Sequence, residues 1–127
     1  MGLRKKGFPP SEIEEVIERL IEERLLDDGR LAQDLAFSKV PHKLWGRDRI
    51  RQELVSRGVS IEQVAEAIAQ VYAEYPEEEL ALRAARKKWR SVLARDSLRA
   101  RQKVGSYLQR QGFAFETIIK ALDSLKD

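Results

Sequence analysis

The stretch LVSRGVSIEQVAEAIAQV, residues 54–71, occurs in this chain in three related copies. Residues 3–20 read LRKKGFPPSEIEEVIERL, and residues 108–125 read LQRQGFAFETIIKALDSL. The three copies align without gaps and begin 51 and then 54 residues apart. The chain is therefore a tandem repeat with a period of roughly fifty residues.

A glycine stands at the same position in every copy, as Gly7, Gly58 and Gly112. One apolar residue follows it, and then apolar residues recur at steps of three and four, which is typical of an amphipathic helix. A residue just past a helix C-terminus commonly has a positive φ, which glycine adopts at little cost. Each copy thus predicts a helix end, a glycine corner and a second helix.

No segment alternates apolar and polar residues over a useful length, so no β-strand is predicted. The predicted fold is all-α, with tandem three-helix repeats in an elongated, curved array. We assign residues 1–26 to the C-terminal half of a first repeat, 27–75 to a second repeat and 76–127 to a third. The first copy therefore arrives without the helices that precede the corner in the other two.

Local signals predict further helix boundaries. Residues 26–29, Leu-Asp-Asp-Gly, are expected to end one helix and cap the next, and Pro41 is expected to stop a helix. Residues 41–46 are predicted to form a loop in which Trp45 covers the core, and an exposed contact residue is the alternative for Trp45. A helix from about 77 to 94 follows, and its predicted buried stripe consists of Leu82, Ala85, Trp89 and Val92.

Composition excludes several classes of function. The 127 residues contain no cysteine and a single histidine, His42, so neither a disulfide nor a zinc centre can be built. No apolar run approaches the ~20 residues that span a bilayer. No catalytic residues, cofactor or small-molecule substrate are predicted, because no nucleophile–base set or phosphate-cradling glycine loop occurs. These features favour a non-enzymatic, cytoplasmic protein, which we expect to be a monomer.

Positive charge is concentrated in one part of the chain. The formal net charge is only +3, but residues 83–111 contain ten basic residues and one acidic residue. No acidic residue lies between Glu79 and Asp96, although a solvated helix face usually carries such residues in i,i+4 pairs. This pattern indicates a phosphate backbone or an acidic protein groove as partner. The alternative is a solvated helix face beside an acidic one.

A second set of basic residues repeats with the corner motif. Arg47 and Arg49 recur in the third repeat as Arg101 and Lys103. Arg49 is predicted to point away from the core, whereas Arg47 lies near the edge of the apolar stripe. All predicted partner-binding residues are basic, and they are Arg47, Arg49, Arg51, Arg83, Arg86, Lys87, Arg90, Arg101 and Lys103.

Three motifs together are specific in order and spacing: LLDDGRLA at residues 25–32, GRDRIRQEL at 46–54 and LQRQGF at 108–113. With these motifs the chain resembles the RecX family of bacterial regulatory proteins over essentially its whole length. The resemblance implies a modulator of the RecA recombinase, without enzymatic activity, that lodges in the groove of the RecA–DNA filament and inhibits it during DNA repair and recombination. Members of that family usually begin with further helices before the position of Leu3, and the segment 40–45 departs from their usual short basic connection.

A second hypothesis comes from another class of function. A helical-repeat module with a basic face could bind single- or double-stranded DNA independently of RecA. Affinity for naked DNA with a steep salt dependence would favour that alternative.

Overall fold

The computed structural model describes residues 10–92 and 96–125. Every regular element in these ranges is an α-helix, which confirms the all-α prediction for this part of the chain. None of these helices is both long and apolar enough to cross a membrane. The helices are α1 (Pro10–Lys43), α2 (Arg47–Ser56), α3 (Ile61–Glu74), α4 (Glu77–Ser91), α5 (Ser97–Arg110) and α6 (Phe115–Ser124).

The corner after α2 is made by a glycine in the left-handed region. Gly58 has a φ of +81°. Its N–H donates to the carbonyl of Val55 at 3.0 Å, and the N–H of Val59 donates to the carbonyl of Leu54 at 3.2 Å. This pair of bonds is the Schellman motif, which satisfies carbonyls that a helix end leaves without partners. The side chains of Val59 and Leu54 are both buried, as the motif favours.

The corner after α5 has the same geometry 54 residues later. Gly112 has a φ of +92°. Its N–H donates to Gln109 at 3.0 Å, and the N–H of Phe113 donates to Leu108 at 3.2 Å. The predicted glycine corner is thereby confirmed at two of its three positions, and Gly7 lies outside the described residues.

Two three-helix units follow one another along the chain. In the first, α3 packs against α1 and α2, and in the second, α6 packs against α4 and α5. One apolar core runs through both units. Burying each large aliphatic side chain of this core contributes about 1.5–3 kcal/mol to stability. The largest fully buried side chains are Val40, Ile50, Leu54, Val71, Leu80, Val104 and Leu108.

Helix α1 is continuous through residues 26–29, so the predicted helix end at this place is wrong. Gly29 lies inside the helix, and a Cβ there would stand 2.8 Å from Oε1 of Gln63 on α3. A glycine inside a helix costs only about 1 kcal/mol, and packing of α3 against α1 outweighs that cost. The boundary assigned between residues 26 and 27 falls within this helix.

Pro41 also lies inside α1, and the helix ends two residues later at Lys43. A proline so close to a helix end removes a single backbone hydrogen bond, so it does not stop the helix at once. The turn is made instead by Leu44, whose φ is +56°. The predicted loop is thus shortened to residues 44–46, while Trp45 is buried in the core as predicted.

The buried face of α4 differs from the predicted stripe. Ala85 is buried as expected, but Trp89 is 37% exposed. Because α4 packs against both α5 and α6, its small residues form the contact face and allow close approach of the two helices. The buried residues of α4 are Leu80, Ala81, Ala84 and Ala85.

The N-terminal half of α1 carries an apolar face that no other described element covers. Ile17 and Leu20 are 47% and 59% exposed. Their equivalents 51 residues later are Ile68 and Val71 of α3, which are buried, with only 4% and 0% of their surface exposed. The same type of face is therefore packed in α3 and exposed in α1. Its other exposed members are Val16, Ile21 and Leu25.

This difference predicts the pattern of amide hydrogen exchange. Amides in residues 13–25 of α1 should exchange faster than those in residues 61–73 of α3, because local opening of α1 exposes little additional apolar surface. Exchange followed by mass spectrometry on the same sample measures both segments at once, so α3 serves as the internal control. Equal protection would contradict the prediction and show that something else, such as a second copy, covers α1.

Candidate interaction surface

Four predicted binding residues lie together on the solvent side of α4: Arg83, Arg86, Lys87 and Arg90, which we call the α4 ridge. All four side chains are exposed, and they line a single surface groove with Glu79 and Leu82. None of the four forms an ion pair with another residue of 10–92 or 96–125, where the ion pairs involve other cations. The structure thus brings these predicted residues onto one surface.

The charge of the α4 ridge is left largely uncompensated. Cations three and four residues apart on a helix repel one another by a few tenths of a kcal/mol per pair. Arg90 lies in the last turn of α4, where the helix dipole offsets about 0.3–1 kcal/mol of this cost. An anionic partner would relieve the remaining repulsion, and the local positive potential would attract it.

Three predicted arginines outside the α4 ridge, Arg47, Arg51 and Arg101, form ion pairs within the chain. Nε of Arg47 lies 3.5 Å from Oε1 of Glu77, and the Arg47 guanidinium lies 4.9 Å from the centre of the Tyr72 ring. The ion pair with Glu77 offsets the charge of Arg47, and the contact with the Tyr72 ring holds its side chain in place. Two further pairs join Arg51 to Asp48 at 3.1 Å and Arg101 to Asp123 at 2.7 Å.

Arg49 does not point away from the core, so its predicted orientation is wrong. Its guanidinium lies 4.6 Å from the centre of the Trp45 ring. Nη1 donates to Oε1 of Gln111 at 2.8 Å and to the carbonyl of Arg110 at 3.3 Å. A helical wheel of α2 could not show this orientation, because the hydrogen-bond acceptors of Arg49 lie at the corner after α5. Arg49 therefore connects the two units.

The first-turn N–H groups of α2 are satisfied by the second unit. The N–H of Gly46 donates to the carbonyl of Gln111 at 2.7 Å, and the N–H of Asp48 donates to the carbonyl of Gly112 at 3.0 Å. The N–H of Arg47 donates to Oε2 of Glu77 at 2.7 Å. A helix N-terminus needs such acceptors, and no side chain of its own unit caps it. These bonds make the contact between units specific in register.

Two glycines permit this close contact. A Cβ on Gly46 would lie 2.4 Å from the carbonyl carbon of Gly112, and a Cβ on Gly112 would lie 2.4 Å from the backbone nitrogen of Arg49. The buried Gln111 lies beside them, and its Nε2 donates to the carbonyls of Lys43 at 2.8 Å and Leu44 at 3.2 Å. We call Trp45, Gly46, Arg49, Gln111 and Gly112 the inter-unit junction.

Tyr72 contacts the inter-unit junction and stays protonated. Its hydroxyl donates to the carbonyl of Trp45 at 2.8 Å. Burial raises the pKa of Tyr72 far above its usual value, and the nearby Glu77 carboxylate adds to this effect. The hydroxyl therefore remains a hydrogen-bond donor throughout the physiological pH range.

Sequence analysis predicted only one residue of a second basic surface. Lys103 was predicted, but the structure places it in a groove with Lys88, Arg99 and Arg110. The signal that could have revealed this groove is the spacing of Arg99, Lys103 and Arg110 along one face of α5. We call this surface, which also includes Gln102 and Ser106, the α5 groove.

The described residues contain no group of three or more His, Cys, Asp or Glu side chains that could hold a metal ion. The buried side-chain nitrogen and oxygen atoms in the same ranges all have hydrogen-bond partners. The α4 ridge and the α5 groove are basic surfaces whose cations form no ion pair within the described ranges.

The fold and its surfaces define a protein of tandem three-helix units with exposed basic faces. The family model for the second three-helix domain of RecX matches residues 27–68, and the model for the third three-helix domain matches residues 76–122. The regulatory protein RecX of Prosthecochloris aestuarii is 35% identical over 123 residues, which cover 97% of this chain and 78% of that protein. The chain belongs to the RecX family.

Other relatives support the same assignment. The regulatory protein RecX of Chlorobium limicola is 29% identical over 95% of this chain and 74% of its own length. That of Clostridioides difficile is 30% identical, with 93% of this chain and 55% of the relative covered. A regulatory protein RecX of known crystal structure matches 96% of this chain and 60% of its own with a TM-score of 0.66 and 26% identity. RecX from Lactobacillus salivarius matches in fold, with a TM-score of 0.71 over 98% of this chain and 80% of its own.

Proposed function

We propose that this protein is a non-enzymatic regulator that binds the RecA recombinase, or the RecA–DNA filament, and inhibits its recombinase and ATPase activities. In this role it acts in the cytoplasm as a monomer, in DNA repair, recombination and the SOS response. The observation that carries the proposal is the similarity of nearly the whole chain to proteins named regulatory protein RecX.

The α4 ridge supports a filament partner in particular. It carries four exposed cations without an ion pair among the described residues, beside the partly buried Leu82. Protein interfaces combine apolar contacts with a charged rim, and arginine is enriched in them. We assign the α4 ridge to an acidic protein face of the filament.

The proposed function predicts an effect on RecA turnover. Titrating this protein into RecA that hydrolyses ATP on single-stranded DNA should lower the steady-state rate. Loss of turnover at substoichiometric amounts would indicate capping or disassembly of filaments, because one bound regulator would then silence many RecA subunits. Loss at stoichiometric amounts would indicate occupation of the filament groove.

One control makes the outcome interpretable. In this control, RecA saturates the single-stranded DNA before this protein is added. The control separates an effect on filaments from competition for naked DNA. An unchanged ATPase rate and unchanged strand exchange with this protein in excess would overturn the proposal.

A further inference from the structure

The α5 groove differs from the α4 ridge in the chemistry of its lining. Its lining side chains are Lys88, Arg99, Gln102, Lys103, Ser106 and Arg110. Each of them can donate a hydrogen bond, and the set contains four cations. It contains neither a carboxylate nor an apolar side chain, whereas Glu79 and Leu82 line the groove beside the α4 ridge.

The donors form a straight row along the solvent side of α5. Arg99, Lys103, Ser106 and Arg110 follow one another at steps of four, three and four residues, and all are exposed. The row extends about 16 Å along the helix at 1.5 Å per residue. A row of this length can contact more than one phosphate of a nucleic-acid backbone.

The fourth cation of the groove is fixed from the neighbouring helix. Nζ of Lys88 lies 5.3 Å from the centre of the Tyr107 ring, and the Lys88 side chain is half-buried between α4 and α5. This contact positions its charge beside the row. Lys88 therefore places a fourth positive charge beside the row, on the α4 side of the α5 groove.

No described carboxylate pairs with any of the four cations of the α5 groove. Contacts to nucleic-acid backbones come from Arg, Lys, Ser and Gln side chains, which are the residue types of this groove. Protein interfaces, by contrast, contain apolar and aromatic anchors, which the groove lacks. Its lining consequently favours a phosphate backbone over an acidic protein face.

We propose that the α5 groove binds the phosphodiester backbone of nucleic acid, without reading base sequence. The proposal deepens the proposed function, since it assigns the DNA of the filament to the α5 groove and leaves RecA to the α4 ridge. Binding to DNA alone does not require RecA, so the two proposals can fail separately.

The test uses the full chain and fluorescein-labelled DNA in the absence of RecA, with fluorescence anisotropy as the measurement. One arm uses a single-stranded oligonucleotide and the other a duplex, over a series of salt concentrations. Replacing Arg99, Lys103 and Arg110 with glutamine should weaken binding by at least tenfold. In the single-stranded arm it should also reduce the slope of log affinity against log salt by about 2, since each phosphate contact contributes about 0.7.

A matched variant controls for net charge. Arg19, Arg24 and Arg30 are exposed residues of α1, and replacing them with glutamine removes the same three charges. This variant should bind DNA as the wild type does. Equal weakening by both triple variants would overturn the proposal, because net charge alone would then explain binding. So would a triple α5 variant that binds DNA normally but no longer inhibits the RecA ATPase, which would assign the groove to protein.

Discussion

Replacing Gly112 with alanine is expected to lower the melting temperature by about 10 °C, which corresponds to a loss of about 3 kcal/mol in the free energy of unfolding. Two causes combine at this residue. Its φ of +92° disfavours any side chain by about 1–2 kcal/mol. In addition, a Cβ would stand 2.4 Å from the nitrogen and 2.5 Å from the Cβ of Arg49, so the two units would have to separate.

Gly58→Ala is the matched control for this prediction. Gly58 has a similar φ of +81°, but a Cβ there would meet no atom within 4 Å. The control should therefore show only the backbone cost, about 1–2 kcal/mol. Thermal or urea unfolding of both variants measures the difference. If the two variants lose equal stability, the close contact at the inter-unit junction does not contribute to it.

Reversing the charge of the α4 ridge is expected to weaken inhibition of RecA by at least tenfold, or about 1.4 kcal/mol. The variant replaces Arg83, Lys87 and Arg90 with glutamate. All three side chains are exposed and form no ion pair among the described residues, so thermal stability should change little. Even one lost charge-assisted contact would account for the expected effect.

Replacing Arg19, Arg24 and Arg30 with glutamate gives the same change in net charge at the other end of the chain. Inhibition of the RecA ATPase by this control should stay close to that of the wild type, and circular dichroism would confirm that both variants keep their helices. A folded ridge variant with full inhibition would exclude the α4 ridge as the binding face. The α5 groove would then be the next surface to test.

The candidate surfaces were only partly predictable. The run of cations without acids in α4 identified the α4 ridge directly, because its exposure follows from charge and helical period. Arg49 was misplaced, because its partners Trp45 and Gln111 lie in two different units. Only Lys103 of the α5 groove was predicted. The spacing of Arg99, Lys103 and Arg110 on α5 could have revealed the row, whereas Lys88 joins it from another helix.

The sequence by itself determined the all-α fold, the repeat and the two glycine corners, because helical periodicity and positive φ at a helix end are local properties. Tertiary structure decided which local signals were overruled. Packing of α3 against α1 carried one helix through Gly29, and contacts with α5 and α6 selected the alanine face of α4 over Trp89. It also decided that the first-turn N–H groups of α2 find their acceptors in the second unit. Such pairings depend on residues from thirty to more than sixty positions apart, as in Arg47 with Glu77 and Arg49 with Gln111, so no short window of sequence contains them.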